Sequence, residues 1–151
     1  MTRLAGDGVG VEPDASLTHD EINAAYAWVE WPQRERHRLE AVIRTSSWFA
    51  ARDARGELVG IARLLDDGGL HASLWDVIVR PDRQRRGIGR ALVEAALEHC
   101  RDRRLVALVS TPAGVGFFER LGFARESHGH VAMYLRPHRR AGEPDLDRHH
   151  D

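Results

Sequence analysis

Hydrophobic positions change their spacing from one segment of the chain to the next, and this spacing predicts the secondary structure. Apolar residues that recur every three or four positions, as at Ile22, Tyr26 and Val29, predict helices. Apolar runs that flank turns such as Asp53-Ala54-Arg55-Gly56 predict strands joined in hairpins. The predicted helices cover about residues 20–29, 33–44, 87–101 and 116–121, and the predicted strands cover 48–51, 57–65, 71–79, 105–109, 123–125 and 131–135.

The order of these segments predicts the fold class. Two helices come first, antiparallel hairpins follow, and a strand–helix–strand–helix–strand unit ends the pattern, which is typical of an α/β domain with a mixed sheet. Residues 1–15 show no periodicity and are expected to form a flexible N-terminal segment. Residues 137–151 are polar and contain Pro and Gly, which predicts a disordered tail. One domain is therefore expected over residues 16–136.

Composition narrows the function. The net charge of −1 gives no reason to expect nucleic acid or an anionic membrane as partner. The 22 basic residues are all arginine, which excludes Schiff-base chemistry and the lysine-dependent phosphate loop of nucleotide hydrolases. The single cysteine, Cys100, excludes an internal disulfide and suggests no metal framework. Without a membrane-spanning apolar run or a signal-peptide pattern, a cytoplasmic protein is expected.

The most informative stretch is a glycine- and arginine-rich turn. A strand ending at Val79-Arg80-Pro81 leads into Gln84-Arg85-Arg86-Gly87-Ile88-Gly89-Arg90, where the next helix begins. The first amides of a helix lack internal partners and attract anions, and two glycines would let phosphate oxygens approach while three arginines supply charge. A dinucleotide site would need a third glycine where Leu92 stands. The turn therefore predicts phosphate binding, with a solvated arginine loop as the alternative.

Two segments resemble a known family. Gln84-x-x-Gly87-x-Gly89 is similar to the acetyl-CoA-binding motif of the GNAT superfamily of N-acetyltransferases, and Phe117–Phe123 resembles that family's Phe-Tyr-x-x-Leu-Gly-Phe segment. The resemblance covers about residues 17–136. Within the superfamily, Leu74–Val79 and Trp31-Pro32 resemble the arylalkylamine, or serotonin-type, N-acetyltransferases of plastids and their bacterial relatives.

The resemblance implies a GNAT-like, mostly antiparallel sheet flanked by helices. Its fourth and fifth strands, here residues 73–79 and 105–110, would splay apart. The pantetheine arm of acetyl-CoA would lie in that gap along the backbone of Val77, Ile78 and Val79. A backbone amide there would polarise the thioester carbonyl during direct attack by a small primary amine. The resemblance implies no metal and is compatible with a homodimer.

The proton transfers are less well defined by the resemblance. Phe118 stands where the family commonly has the tyrosine that acts as general acid, and a phenyl ring packs against pantetheine but cannot donate a proton. Water, Ser110 or Thr111 would then protonate the thiolate. The alternative is a non-catalytic acyl-CoA-binding module that kept the cofactor cleft.

Asp76 is the candidate general base, because it lies on the strand beside the expected thioester. Strand alternation places it on the face opposite Trp75 and Val77, where it could instead hold a loop or an arginine. The further candidates are His71, His128 and His130 for proton transfer, and Tyr26, Trp28 and Trp31 for the wall around an aromatic or apolar acceptor.

Overall fold

The structure is a computed structural model that describes residues 3–135, with side chains described from residue 5 onward. Two compact units are present, one ending at Gly114 and the other beginning at Val115. The first unit contains the strands β1 (Arg3–Leu4), β2 (Gly10–Glu12), β3 (Ser47–Arg52), β4 (Leu58–Asp66), β5 (His71–Val79) and β6 (Leu105–Leu108) and the helices α1 (His19–Trp28), α2 (Arg36–Thr45) and α3 (Ile88–His99). The second unit contains α4 (Val115–Arg120).

The strands form one sheet in the order β1-β2-β3-β4-β5-β6. Every neighbouring pair is antiparallel except β5 and β6, which are parallel. Their pairing runs only from His71 with Leu105 to Leu74 with Leu108, whereas β5 continues to Val79. The predicted fold class is therefore confirmed, including the separation of the two strands.

The first two helices begin where local hydrogen bonds fix them. Thr18 and Glu21 form a capping box at the start of α1, since each side chain accepts the other residue's backbone amide, at 3.2 and 3.0 Å. The second helix was predicted from Gln33 but begins at Arg36. The Asn23 side chain explains the difference, because it accepts from the Arg34 amide at 2.9 Å and donates to the Arg34 carbonyl at 3.0 Å.

The core lies on both faces of the sheet. On one face, α1 and α2 cover buried residues that include Tyr26, Leu39 and Ile61. On the other face, α3 approaches Gly60 of β4 so closely that a methyl group there would lie 3.0 Å from Leu92 and 3.1 Å from the Ile78 carbonyl. Glycine at position 60 thus sets the distance between sheet and helix.

The prediction of a flexible segment over residues 1–15 missed two strands. Backbone pairing joins β1 to β2 and β2 to β3, with Val11 opposite Ala51. Val9 and Val11 are fully buried, yet only three residues form β2, too few to show a period in the sequence.

In the second unit, the strands predicted at 123–125 and 131–135 are not formed within residues 115–135. A strand needs a hydrogen-bonded partner, and the pairing in this part of the chain is a single bridge between Ser127 and His130. The tail predicted at 137–151 lies outside the described residues.

The close approach at Gly60 predicts a cost for enlarging it. We expect Gly60→Ala to lower the free energy of unfolding by about 1–3 kcal/mol, because neither the Ile78 carbonyl nor Leu92 has free space to retreat. Urea unfolding followed by circular dichroism measures the change. Gly69→Ala is the matched control, since a methyl group there meets only the Asp67 carboxylate at 3.9 Å. Equal stability of the two variants would contradict this packing.

Candidate functional site

The predicted phosphate turn joins β5 to α3. After Val79 a short 3-10 turn, Pro81–Arg83, redirects the chain, and the Gln84 amide nitrogen donates to the Val79 carbonyl at 3.0 Å. Arg85 and Gly87 both have positive φ, 61° and 81°. No side chain caps the start of α3, and a methyl group on Gly87 would meet nothing within 4 Å. The first amides of α3 therefore face open space, as an anion site requires.

The three arginines of the turn differ in their partners. Arg86 donates to the Asp7 carboxylate at 2.6 Å, and Arg90 donates to Glu94 at 2.8 Å. Arg85 is exposed and forms no hydrogen bond or ion pair with any residue that the structure describes. Arg85 is therefore the turn's readily available cation. Asp7, which the sequence interpretation left in a flexible segment, comes to the site through the hairpin of β1 and β2.

A bulge in β5 lies next to the point where the strands separate. Ile78 pairs with Ile61 and Trp75 pairs with Arg63, so two residues of β5 oppose a single residue of β4. One of the two is Asp76, whose φ of 50° is uncommon for a residue other than glycine. Beyond Leu74, β5 keeps β4 on one edge, and within the described residues no strand pairs with its other edge. The backbone of residues 77–79 lies along this open edge, while the Ile78 side chain is buried in the core.

Asp76 lies in a largely buried network. Its Oδ2 accepts from the Tyr26 hydroxyl at 2.9 Å and from Arg63 Nε at 2.7 Å, and its side chain is 11% exposed. Its Oδ1 accepts no side-chain hydrogen bond from a described residue. The expected separation of Asp76 and Trp75 onto opposite faces is wrong, because the bulge interrupts the alternation and both contact Arg63.

Arg63 was missed by the sequence interpretation. Its guanidinium carbon lies 5.9 Å from the ring centres of both Trp48 and Trp75, in addition to the ion pair with Asp76. The signal was an arginine inside the apolar run Ile61–Leu65, a position where a charge is costly unless it is paired.

Tyr26 gains an unusual titration from this network. Burial of the phenol raises the pKa of Tyr26 well above its ordinary value, and the charge of Asp76 and the hydrogen bond to it raise the pKa further. Tyr26 also contacts Trp31, with ring centres 5.8 Å apart, and Trp31 is 36% exposed. Trp28 packs against the core on the same helix.

The remaining candidates are dispersed. His71 is exposed and lies 3.9 Å from Asp67, and the Ser110 hydroxyl donates to the Thr111 carbonyl at 2.8 Å. In the second unit, the Phe118 ring packs against Phe117 and Phe123, with ring centres 5.0 and 5.8 Å apart. His128 and His130 lie in or beside the turn bridged by Ser127 and His130. The roles of all these residues stay predictions.

Two searches of the described residues returned nothing. Within residues 3–135 there is no cluster of three or more His, Cys, Asp or Glu side chains suited to a metal ion. In the same part of the chain, every helix is too short or too polar to span a bilayer.

The separated strands and the glycine turn at the start of α3 are those of an acetyltransferase, and comparison with known families agrees. The acetyltransferase (GNAT) family model matches residues 16–123. The chain therefore belongs to this family, and the predicted family and its enzyme class, N-acetyltransferase, are confirmed.

Individual relatives refine this assignment. The chain is 33% identical to the chloroplastic serotonin N-acetyltransferase 2 of Oryza sativa subsp. japonica, over 83% of this chain and 66% of that protein. It is 31% identical to the chloroplastic GCN5-related N-acetyltransferase 1 of Arabidopsis thaliana, over 78% of this chain and 61% of that protein. A solved GNAT family acetyltransferase from Streptococcus pneumoniae matches with a TM-score of 0.74 at 25% identity, over 87% of this chain and 99% of that chain.

These relatives also correct one prediction. The rice and Arabidopsis proteins are chloroplastic, which overturns the expectation of a cytoplasmic protein. The chain spans less than two thirds of the length of either relative.

The environment of Tyr26 predicts a pH dependence. The chain has two tyrosines, so in Tyr134→Phe the tyrosinate absorbance reports Tyr26 alone. We expect it to appear well above pH ~10, the ordinary value for tyrosine. Because the folded-state pKa is raised, the stabilisation by the neutral phenol is complete below pH ~10 and is lost as the pH rises toward the folded-state value.

Asp76→Asn provides the control for this titration. Removing the neighbouring charge should shift the onset of tyrosinate absorbance to lower pH. An onset at the ordinary tyrosine value in folded Tyr134→Phe would contradict the network.

Proposed function

We propose that the protein is an acetyl-CoA-dependent N-acetyltransferase that transfers the acetyl group directly to a small primary amine. The observation that carries this proposal is the separation of β5 from β6 beside the turn that begins α3. The serotonin N-acetyltransferase of rice supports an aromatic amine as the acceptor.

Several features of the chain suit this cofactor. The uncapped first turn of α3 and the exposed Arg85 suit a pyrophosphate group, since both offer donors to an anion. The open edge of β5 beyond Leu74 offers backbone groups to the pantetheine amides, as a neighbouring strand would. Bound acetyl-CoA would supply an activated acetyl thioester.

The residues of β5 would then carry the chemistry. A backbone amide among Val77, Ile78 and Val79 would donate a hydrogen bond to the thioester carbonyl and stabilise negative charge on its oxygen. Asp76 is the proposed proton acceptor, through its Oδ1. Tyr26 and Arg63 would orient the carboxylate, because both bind its other oxygen.

Binding of acetyl-CoA tests the cofactor assignment. We expect Arg85→Ala to weaken binding about tenfold, because one charge-assisted hydrogen bond to phosphate is lost. Isothermal titration calorimetry of the folded chain measures this change. Arg55→Ala, at the exposed tip of the hairpin between β3 and β4, should leave the affinity unchanged. Wild-type protein that does not bind acetyl-CoA would refute the proposed function.

Turnover tests the proposed role of Asp76. We expect Asp76→Asn to lower kcat by roughly 10²-fold or more in a thiol-release assay with a panel of primary amines. The same variant should bind acetyl-CoA with unchanged affinity. Glu40→Gln makes the same chemical change in an exposed ion pair and should keep full activity.

Two results would contradict these assignments. Tight acetyl-CoA binding without thiol release for any amine would indicate a non-catalytic binding module. An Asp76→Asn variant that keeps wild-type kcat would leave Asp76 with a structural role, in which it only pairs with Arg63 and Tyr26.

A further inference from the structure

Trp75 is a large aromatic side chain that the fold holds in one orientation and leaves partly open to solvent. Its indole nitrogen donates to the Ser73 hydroxyl at 2.8 Å, and the Arg63 guanidinium lies over its ring. Arg63 itself is fixed by the ion pair with Asp76. In spite of these contacts, Trp75 remains 38% exposed.

Trp75 also lies where an acceptor would meet the cofactor. It directly follows Leu74, the last residue of β5 that pairs with β6, and it directly precedes the bulge at Asp76. The residue that binds its indole nitrogen, Ser73, lines an open cavity of about 470 Å³. This volume lies within the range of small-molecule sites.

The charges in this cavity are already compensated. Asp66 binds Arg103 through two hydrogen bonds of 2.6 and 2.9 Å. Asp67 accepts the backbone amides of Gly69, Leu70 and His71. A ligand therefore gains little from placing a cationic group against either carboxylate, and apolar and aromatic contacts decide what binds.

The guanidinium over Trp75 determines which aromatic ring fits best. A cation on one side of an indole draws π-electron density toward itself and leaves the ring a poorer partner for a second cation. Such a ring stacks best with an electron-rich ring. We infer that Trp75, polarised by Arg63, is the specificity-determining residue that selects acceptor amines carrying an electron-rich aromatic ring.

This inference rests on the proposed function, and a matched series of amines tests it. The series is 4-methoxyphenethylamine and 4-nitrophenethylamine, of similar size but opposite electron demand, with hexylamine as the non-aromatic reference. The wild-type chain should have a higher kcat/KM for the methoxy amine than for the nitro amine. Trp75→Leu should lower kcat/KM for the methoxy amine by about three- to tenfold, because only the aromatic part of the contact is lost.

Two comparisons separate selectivity from damage to the fold. Trp75→Phe should restore most of the preference for the methoxy amine, and Trp75→Leu should leave kcat/KM for hexylamine and the affinity for acetyl-CoA unchanged. An equal loss for all three amines, or no loss for the methoxy amine, would overturn the inference.

A binding measurement keeps this test apart from that of the proposed function. If no amine supports thiol release, the proposed enzymatic function fails. Equilibrium binding of 4-methoxyphenethylamine, followed by saturation-transfer NMR on the wild-type chain and on Trp75→Leu, then decides the role of Trp75. Equal binding by the two proteins would refute it.

Discussion

The backbone of β5 must serve two neighbours that diverge, and the candidate site depends on how it does so. Up to Leu74 the strand pairs on both edges, and beyond that point it pairs only with β4. The bulge at Asp76 occurs at this transition. An extra residue in one strand increases the local twist and changes which way the side chains face. The same irregularity therefore accompanies the gap and brings Asp76 against Arg63.

The Arg63–Asp76 pair compensates for a charge inside an otherwise apolar layer. Burying a lone guanidinium would be costly, but the carboxylate, two tryptophan rings and the Tyr26 network surround it. The pair also ties β4 to β5 and, through Tyr26, to α1. A local defect in the sheet is thus fixed from three elements, as a site that needs defined geometry requires.

The parts of the fold that could be predicted are those with a strong local period. The amphipathic pattern of α3 and the apolar runs of β4 and β5 led to correct elements, and the glycine turn led to the correct family. The short strand β2 was missed because three residues carry no period. The bulge was missed because nothing local marks Asp76 for positive φ, and Asp7 was missed because its partner is 79 residues away.

The arginine-only composition has a consequence for the chemistry of the chain itself. Every strong cation near the proposed site, from Arg63 to the turn before α3, is a guanidinium. Guanidinium groups stay protonated at physiological pH and are not nucleophiles for a thioester, unlike the amine of lysine. Because the sequence contains no lysine, none of its side chains offers an ε-amino group that an activated acetyl donor could modify. A protein that holds such a donor beside its own surface is thereby protected from acetylating its own lysine side chains.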